Sequence, residues 1–87
     1  MKRIAVDLAK SVYQVAESAR AGEVSQRKRL SRVAFARYVQ EQVGPVEWVM
    51  EACGMAHYWG RVAQARGHRV ILLHPRYVRP YRRRNKT

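Results

Sequence analysis

The apolar residues of this chain switch their period between two and about 3.6, and that switching limits what it can fold into. Residues 3–8 alternate, with Ile4, Val6 and Leu8 on one side and Ala5 and Asp7 on the other, which is strand periodicity. A turn at Lys10-Ser11 leads into a second strand over Val12–Glu17. Ala19-Arg20-Ala21-Gly22 reads as a hairpin loop, because Gly22 is free to take positive φ. Residues 23–30 follow as a third strand. Its Arg27, Lys28 and Arg29 suit a sheet edge, where charge opposes pairing with a second chain. These three strands predict an antiparallel meander.

The period then lengthens. Ser31 is a good N-cap for a helix over about 32–42, along which Phe35, Tyr38, Val39 and Gln42 recur at helical spacing. Gly44-Pro45 stops it. Residues 46–51 return to alternation, with Val46, Trp48 and Met50 facing one way and Glu47, Val49 and Glu51 the other. Glu47 reads as a solvated strand residue. A second helix over about 55–66 carries Ala56, Trp59, Val62, Ala63 and Arg66 along one face and ends at Gly67. Val70-Ile71-Leu72-Leu73 is a continuous apolar run, as in a strand buried on both faces. The order is βββαβαβ. It predicts an α/β fold with a mixed sheet, helices packed on it, and the fourth strand parallel to the first through a right-handed crossover. Trp48 and Trp59 fall on apolar faces and read as core, whereas Tyr58 reads equally as packing or base-stacking. Cys53 reads as a small packing residue and His57 as a polar helix residue. His68 and His74 flank the last strand, solvent-facing or beside a phosphate.

At 87 residues the chain is one small domain. Its 18 Lys+Arg against 6 Asp+Glu give a net charge of +12, which points to a polyanion or an anionic membrane surface. No apolar run approaches the roughly 20 residues of a membrane helix, and no long basic amphipathic helix is visible. Nucleic acid is therefore the favoured partner and a membrane is not. The single cysteine excludes an internal disulfide and fits a reducing cytoplasm. All six acids lie within residues 1–51, so the charge is uneven. The composition divides the chain into a folded part, residues 1–75, and a basic aromatic tail, residues 76–87. In that tail Arg76, Arg79, Arg82, Arg83, Arg84 and Lys86 are candidates for phosphate contact, and Tyr77 and Tyr81 for stacking on unpaired bases. The bland alternative is a solvated basic tail.

Asp7 is the sole aspartate, and Glu51 closes the fourth strand. Both fall near the carboxyl ends of their strands, on the parity opposite the larger apolar residues. If the two strands are neighbours, the carboxylates share an edge where α/β sheets collect ligands. Two carboxylates there suit Mg²⁺, which takes hard oxygen ligands and phosphate oxygens. Lys10, beside Asp7, would then neutralise a phosphate. The alternative is that each acid is a strand-end residue paired with an arginine.

These residues carry a resemblance. IAVDLAKSVYQV, KRLSR and MEACGMAHYWGRVAQARGHRVILLHPRYVRPYRRRNKT resemble the N-terminal domain of the DEDD insertion-sequence transposases, relatives of the Piv-type DNA invertases. The match runs over essentially the whole chain. The resemblance implies a RuvC-like, RNase H-like fold. It also implies that Asp7 and Glu51 are the first two acids of a catalytic, metal-binding Asp-Glu-Asp-Asp tetrad. The implied function is DNA transposition or recombination by metal-dependent strand cleavage or exchange. DNA and a structured guide (bridge) RNA are the implied partners, in a bacterial, nucleoid-associated protein. In that family an acidic segment with the third and fourth acids, then a C-terminal domain carrying a serine implicated in strand exchange, follows the point where this sequence stops, at Thr87. The fold is therefore expected to be partial. Mg²⁺ binding is expected to be weak or absent, and the chain inactive alone. Two other readings stand beside this one: a small non-catalytic basic nucleic-acid-binding module, and a remnant that persists as a homo-oligomer.

Overall fold

In the computed structural model, which describes residues 1–8, 11–20 and 23–74, the alternating segments pair as the meander requires. β1 (Lys2–Leu8) runs antiparallel to β2 (Val12–Ser18), and β2 antiparallel to β3 (Gln26–Ser31). The chain then crosses over through α1 (Arg32–Glu41) to β4 (Val46–Glu51), which lies parallel beside β1. A second crossover through α2 (Gly54–Ala65) places β5 (Arg69–Leu73) parallel beside β4. The result is an α/β fold with a five-stranded mixed sheet of order β3-β2-β1-β4-β5.

Local chemistry sets the junctions. The Ser31 hydroxyl accepts a hydrogen bond from the Ala34 N–H at 3.1 Å, satisfying one of the orphan donors of the first turn of α1. The chain leaves α2 through Gly67 at φ 87°, a conformation that costs other residues more.

Both helices pack on one face of the sheet. Ile4, Val6, Tyr13, Val15, Trp48 and Met50 meet Phe35, Tyr38 and Val39 of α1 and Ala56, Trp59 and Ala63 of α2 in one core. Phe35 is the hub: its ring lies nearly perpendicular to those of Tyr13, Trp48 and Trp59, at centroid distances of 5.1, 5.9 and 4.8 Å. Edge-to-face pairs of this kind contribute about 0.5–1.5 kcal/mol each beyond their burial. The Trp59 indole N–H donates to the Tyr13 hydroxyl at 3.3 Å, so two buried polar atoms satisfy each other.

Two expectations are corrected. β5 is an edge strand, not one buried on both faces. Val70 and Leu72 pack against the core, while Ile71 and Leu73 take the opposite face and are only half-buried. A continuous apolar run does not distinguish a central strand from an edge strand covered on one side. His68 is not solvent-facing: it is 7% exposed and lies edge-on to Trp48 at 5.8 Å. Its Nδ1 accepts the Val46 N–H at 3.0 Å. The edge position of β3 is as expected.

Candidate functional site

The register of β1 against β4 decides where the two acids go. Val6 stands opposite Met50, and both point into the core. The next residues, Asp7 and Glu51, therefore emerge together on the opposite face, on neighbouring strands about 4.8 Å apart. Asp7 is exposed and Glu51 half-buried. Among the described residues no helix covers this face.

The same row continues across the sheet in both directions. Gln14 of β2 is opposite Asp7, and Arg29 of β3 is opposite Gln14. Leu73 of β5 is opposite Glu51. One pleat back runs a second row, Arg27, Ala16, Ala5, Val49 and Ile71, each the register partner of the next. The two rows enclose an open concavity of about 630 Å³. Asp7 and Glu51 stand at one side of it, Arg27 and Arg29 at the other, and Ala5 and Ala16 form its floor.

The amino-terminal end of this face is differently made. Glu47 accepts from the Arg3 Nε at 2.6 Å, and the Arg69 Nε lies 3.9 Å from its other oxygen. Glu47 is therefore a half-buried carboxylate held between two arginines, not a solvated strand residue. Strand order explains this, since Arg3 and Arg69 flank Glu47 in register. Four residues of strand, about 13 Å, separate it from Glu51.

Other polar groups serve the helix-covered face. Glu17 accepts from the Tyr38 hydroxyl and lies 3.4 Å from the Lys2 Nζ. The Tyr38 hydrogen bond, then the charges of Lys2 and Lys28, hold its carboxyl below the usual range. Burial, then Glu17, pushes the Tyr38 hydroxyl far up. Lys28 sits over the Tyr38 ring at 5.1 Å. Burial, then the Arg66 charge, lowers the pKa of His68. Cys53 is an exposed N-cap of α2 that makes no side-chain cap bond, not a packing residue. His57 and Tyr58 are exposed, while Trp48 and Trp59 are core as expected.

Among the described residues no group of three or more His, Cys, Asp or Glu could hold a metal ion. Asp7 and Glu51 are thus a two-carboxylate set. That fits a hard divalent cation completed by water and phosphate oxygens, and does not fit an all-protein cage. Lys10 and the tail candidates Arg76, Tyr77, Arg79, Tyr81, Arg82, Arg83, Arg84 and Lys86 lie outside the described residues. Arg27 and Arg29 line the concavity beside the two acids, a placement that sequence reasoning missed. Their alternation with Lys28 was the available signal.

No protein-family model matches the sequence. Curated relatives do. Over 81 residues, 93% of this chain, it is 44% identical to a probable family 20 transposase of Pseudomonas aeruginosa, covering 24% of that protein. Over an alignment of 88 positions that spans 100% of this chain, it is 37% identical to the transposase for insertion sequence element IS1111A of Coxiella burnetii, again covering 24%. Over 84 residues, 97% of this chain, it is 32% identical to the transposase for insertion sequence element IS1328 of Yersinia enterocolitica, covering 25%. The chain spans about a quarter of the length of these relatives. No helix among the described residues is long and apolar enough to cross a membrane.

Proposed function

We propose that this chain corresponds to the amino-terminal part of a DEDD-type insertion-sequence transposase, with an RNase H-like, RuvC-like sheet acting on DNA. The observation that carries the reading is the pairing of Asp7 with Glu51. They are the residues following a register pair of adjacent parallel strands, on the sheet face that no described helix covers. The similarity to proteins named as transposases supports it.

In this reading Asp7 and Glu51 would hold Mg²⁺. When bound, that ion supplies charge neutralisation and activation of the attacking oxygen in phosphoryl transfer. The chain's own residues do the rest. β1 and β4 bring the two residues to neighbouring positions on one sheet face, so less order has to be gained when a cation binds. The net charge of +12 draws the nucleic acid and opposes cation binding until phosphate is present. The two-carboxylate set leaves coordination positions for phosphate oxygens. Weak metal binding and little cleavage by this chain alone follow from that incomplete set. Guide RNA is a further partner under the same reading.

A non-catalytic nucleic-acid-binding module is the second reading, favoured by the lack of any larger ligand group among the described residues. Mn²⁺, added as a paramagnetic stand-in during backbone NMR of the 87-residue chain, separates the two. Broadening centred on Asp7 and Glu51 and their register neighbours Gln14 and Leu73, retained in Glu47→Gln and lost in Asp7→Asn, is the expected result. Broadening spread over all carboxylates, or unchanged by Asp7→Asn, would sink the metal reading and leave the binding module.

A further inference from the structure

We infer that Arg27 and Arg29 of β3 are phosphate-contacting residues, and that a single nucleic-acid strand crosses the sheet face that no described helix covers, from the Asp7–Glu51 pair to the β3 edge. The inference rests on the nucleic-acid reading of the same face and extends it to residues on a different strand.

Alternation divides the basic residues of β3. Lys28 turns to the helix-covered side, over the Tyr38 ring. Arg27 and Arg29 therefore share the other face with Asp7 and Glu51 and line the same concavity. Among the described residues their charge is also uncommitted. Arg3 and Arg69 on this face are both paired with Glu47, whereas no ion pair among the described residues engages Arg27 or Arg29.

The spacing suits a strand of nucleic acid. Asp7, Gln14 and Arg29 are successive register partners, so two strand spacings, about 10 Å, separate the first from the last. A phosphate near the carboxylates would leave the next ones within reach of the guanidiniums. Arginine forks suit phosphate oxygens, and the contact releases counterions. Between the two ends the floor is Ala5 and Ala16, whose small side chains leave room for sugar and base. Gln14, exposed between Asp7 and Arg29, brings an amide donor to the same path.

The test measures binding of the 87-residue chain to a short single-stranded oligothymidylate by fluorescence anisotropy over a range of salt. On single strands each phosphate contact contributes about 0.7 to the log–log salt slope. The double variant Arg27→Ala/Arg29→Ala should lower the slope by about 1.4. The charge-matched variant Arg37→Ala/Arg61→Ala, both exposed on the helices, should leave it nearly unchanged. Ala16→Phe, which keeps every charge and fills the floor, should weaken binding several-fold while circular dichroism stays native. Equal loss in the two arginine doubles would overturn the inference. So would a wild-type chain that sediments as a dimer dissociated by Arg27→Ala/Arg29→Ala, since the face would then be a protein interface. The Mn²⁺ experiment reads the carboxylates independently. Localised broadening with no slope change would remove the arginines and keep the metal site. The reverse would keep the arginines and remove the metal.

Discussion

The Val46 backbone N–H donates to the Nδ1 of His68 at 3.0 Å, so the first residue of β4 is tied to the residue just before β5. Val46 and His68 are both buried. For Nδ1 to accept, the proton of the neutral imidazole must sit on Nε2, which has no hydrogen-bond partner among the described residues. Protonating the ring would set two donors against each other.

Stability should therefore depend on pH through His68. Its folded pKa is lowered by burial and by Arg66, while the unfolded value lies near about 6.5. The unfolded chain binds the proton more readily, so the contribution is complete above that value and is lost as pH falls through it towards the folded one. Urea unfolding at pH 8 and pH 5 should show this loss. In His68→Leu the pH-dependent part should vanish. Stability at pH 8 should fall by about 1–3 kcal/mol, because the buried Val46 N–H loses its acceptor. An unchanged pH profile in that variant would refute the assignment.

Tyr38→Phe should weaken the chain and release the Glu17 carboxyl. A hydrogen bond to a charged group contributes about 1.5–3 kcal/mol, and Glu17 keeps Lys2 nearby, so a loss near the lower end is expected. Glu17 titrates lower in the folded state, so its contribution is present above the ordinary carboxylate range and disappears as pH falls through the folded value. NMR titration should show the Glu17 pKa rising in the variant. A Glu17 titration that does not move would exclude the Tyr38 contact as its main cause.

Asp7→Asn should be nearly silent in stability and Glu47→Gln should not. Asp7 is exposed beside another acid, so its neutralisation should stay within about 0.5 kcal/mol of wild type. Glu47→Gln strips the carboxylate from between Arg3 and Arg69 and should cost about 0.5–1 kcal/mol at low salt, less at high salt. Thermal unfolding at two ionic strengths checks both. A larger loss in Asp7→Asn would mark that residue as structural.

Gly60 lies buried in α2, and a Cβ added there would meet the Val70 Cγ1 at 3.4 Å, an ordinary contact. Gly60→Ala should accordingly stabilise the chain by about 0.5–1 kcal/mol through helix propensity. Gly60→Leu should push α2 away from β5 and cost about 1–3 kcal/mol. Thermal unfolding of the pair would expose an error in the helix packing if alanine destabilised.

The element order and the shared parity of Asp7 and Glu51 were legible, because alternation assigns faces without any knowledge of the fold. What alternation withholds is which face a helix covers and which strands lie at the edges. That gap accounts for β5, whose Ile71 and Leu73 face outward, and for Arg27 and Arg29, whose face acquires meaning only when it is seen to be open. His68 and Glu47 escaped for a different reason. Each is engaged by a group distant in sequence, Val46 for one and Arg3 for the other, and periodicity carries no record of such pairs.

The one-residue offset between Val6–Asp7 and Met50–Glu51 makes the core and the candidate site inseparable consequences of a single alignment. A slip of β4 by one residue would turn Glu51 into the core and expel Trp48 and Met50 from it. Misaligned chains thus lose hydrophobic burial in the same step that separates the acids. A chain that has assembled its two carboxylates has, by the same geometry, already checked its own fold.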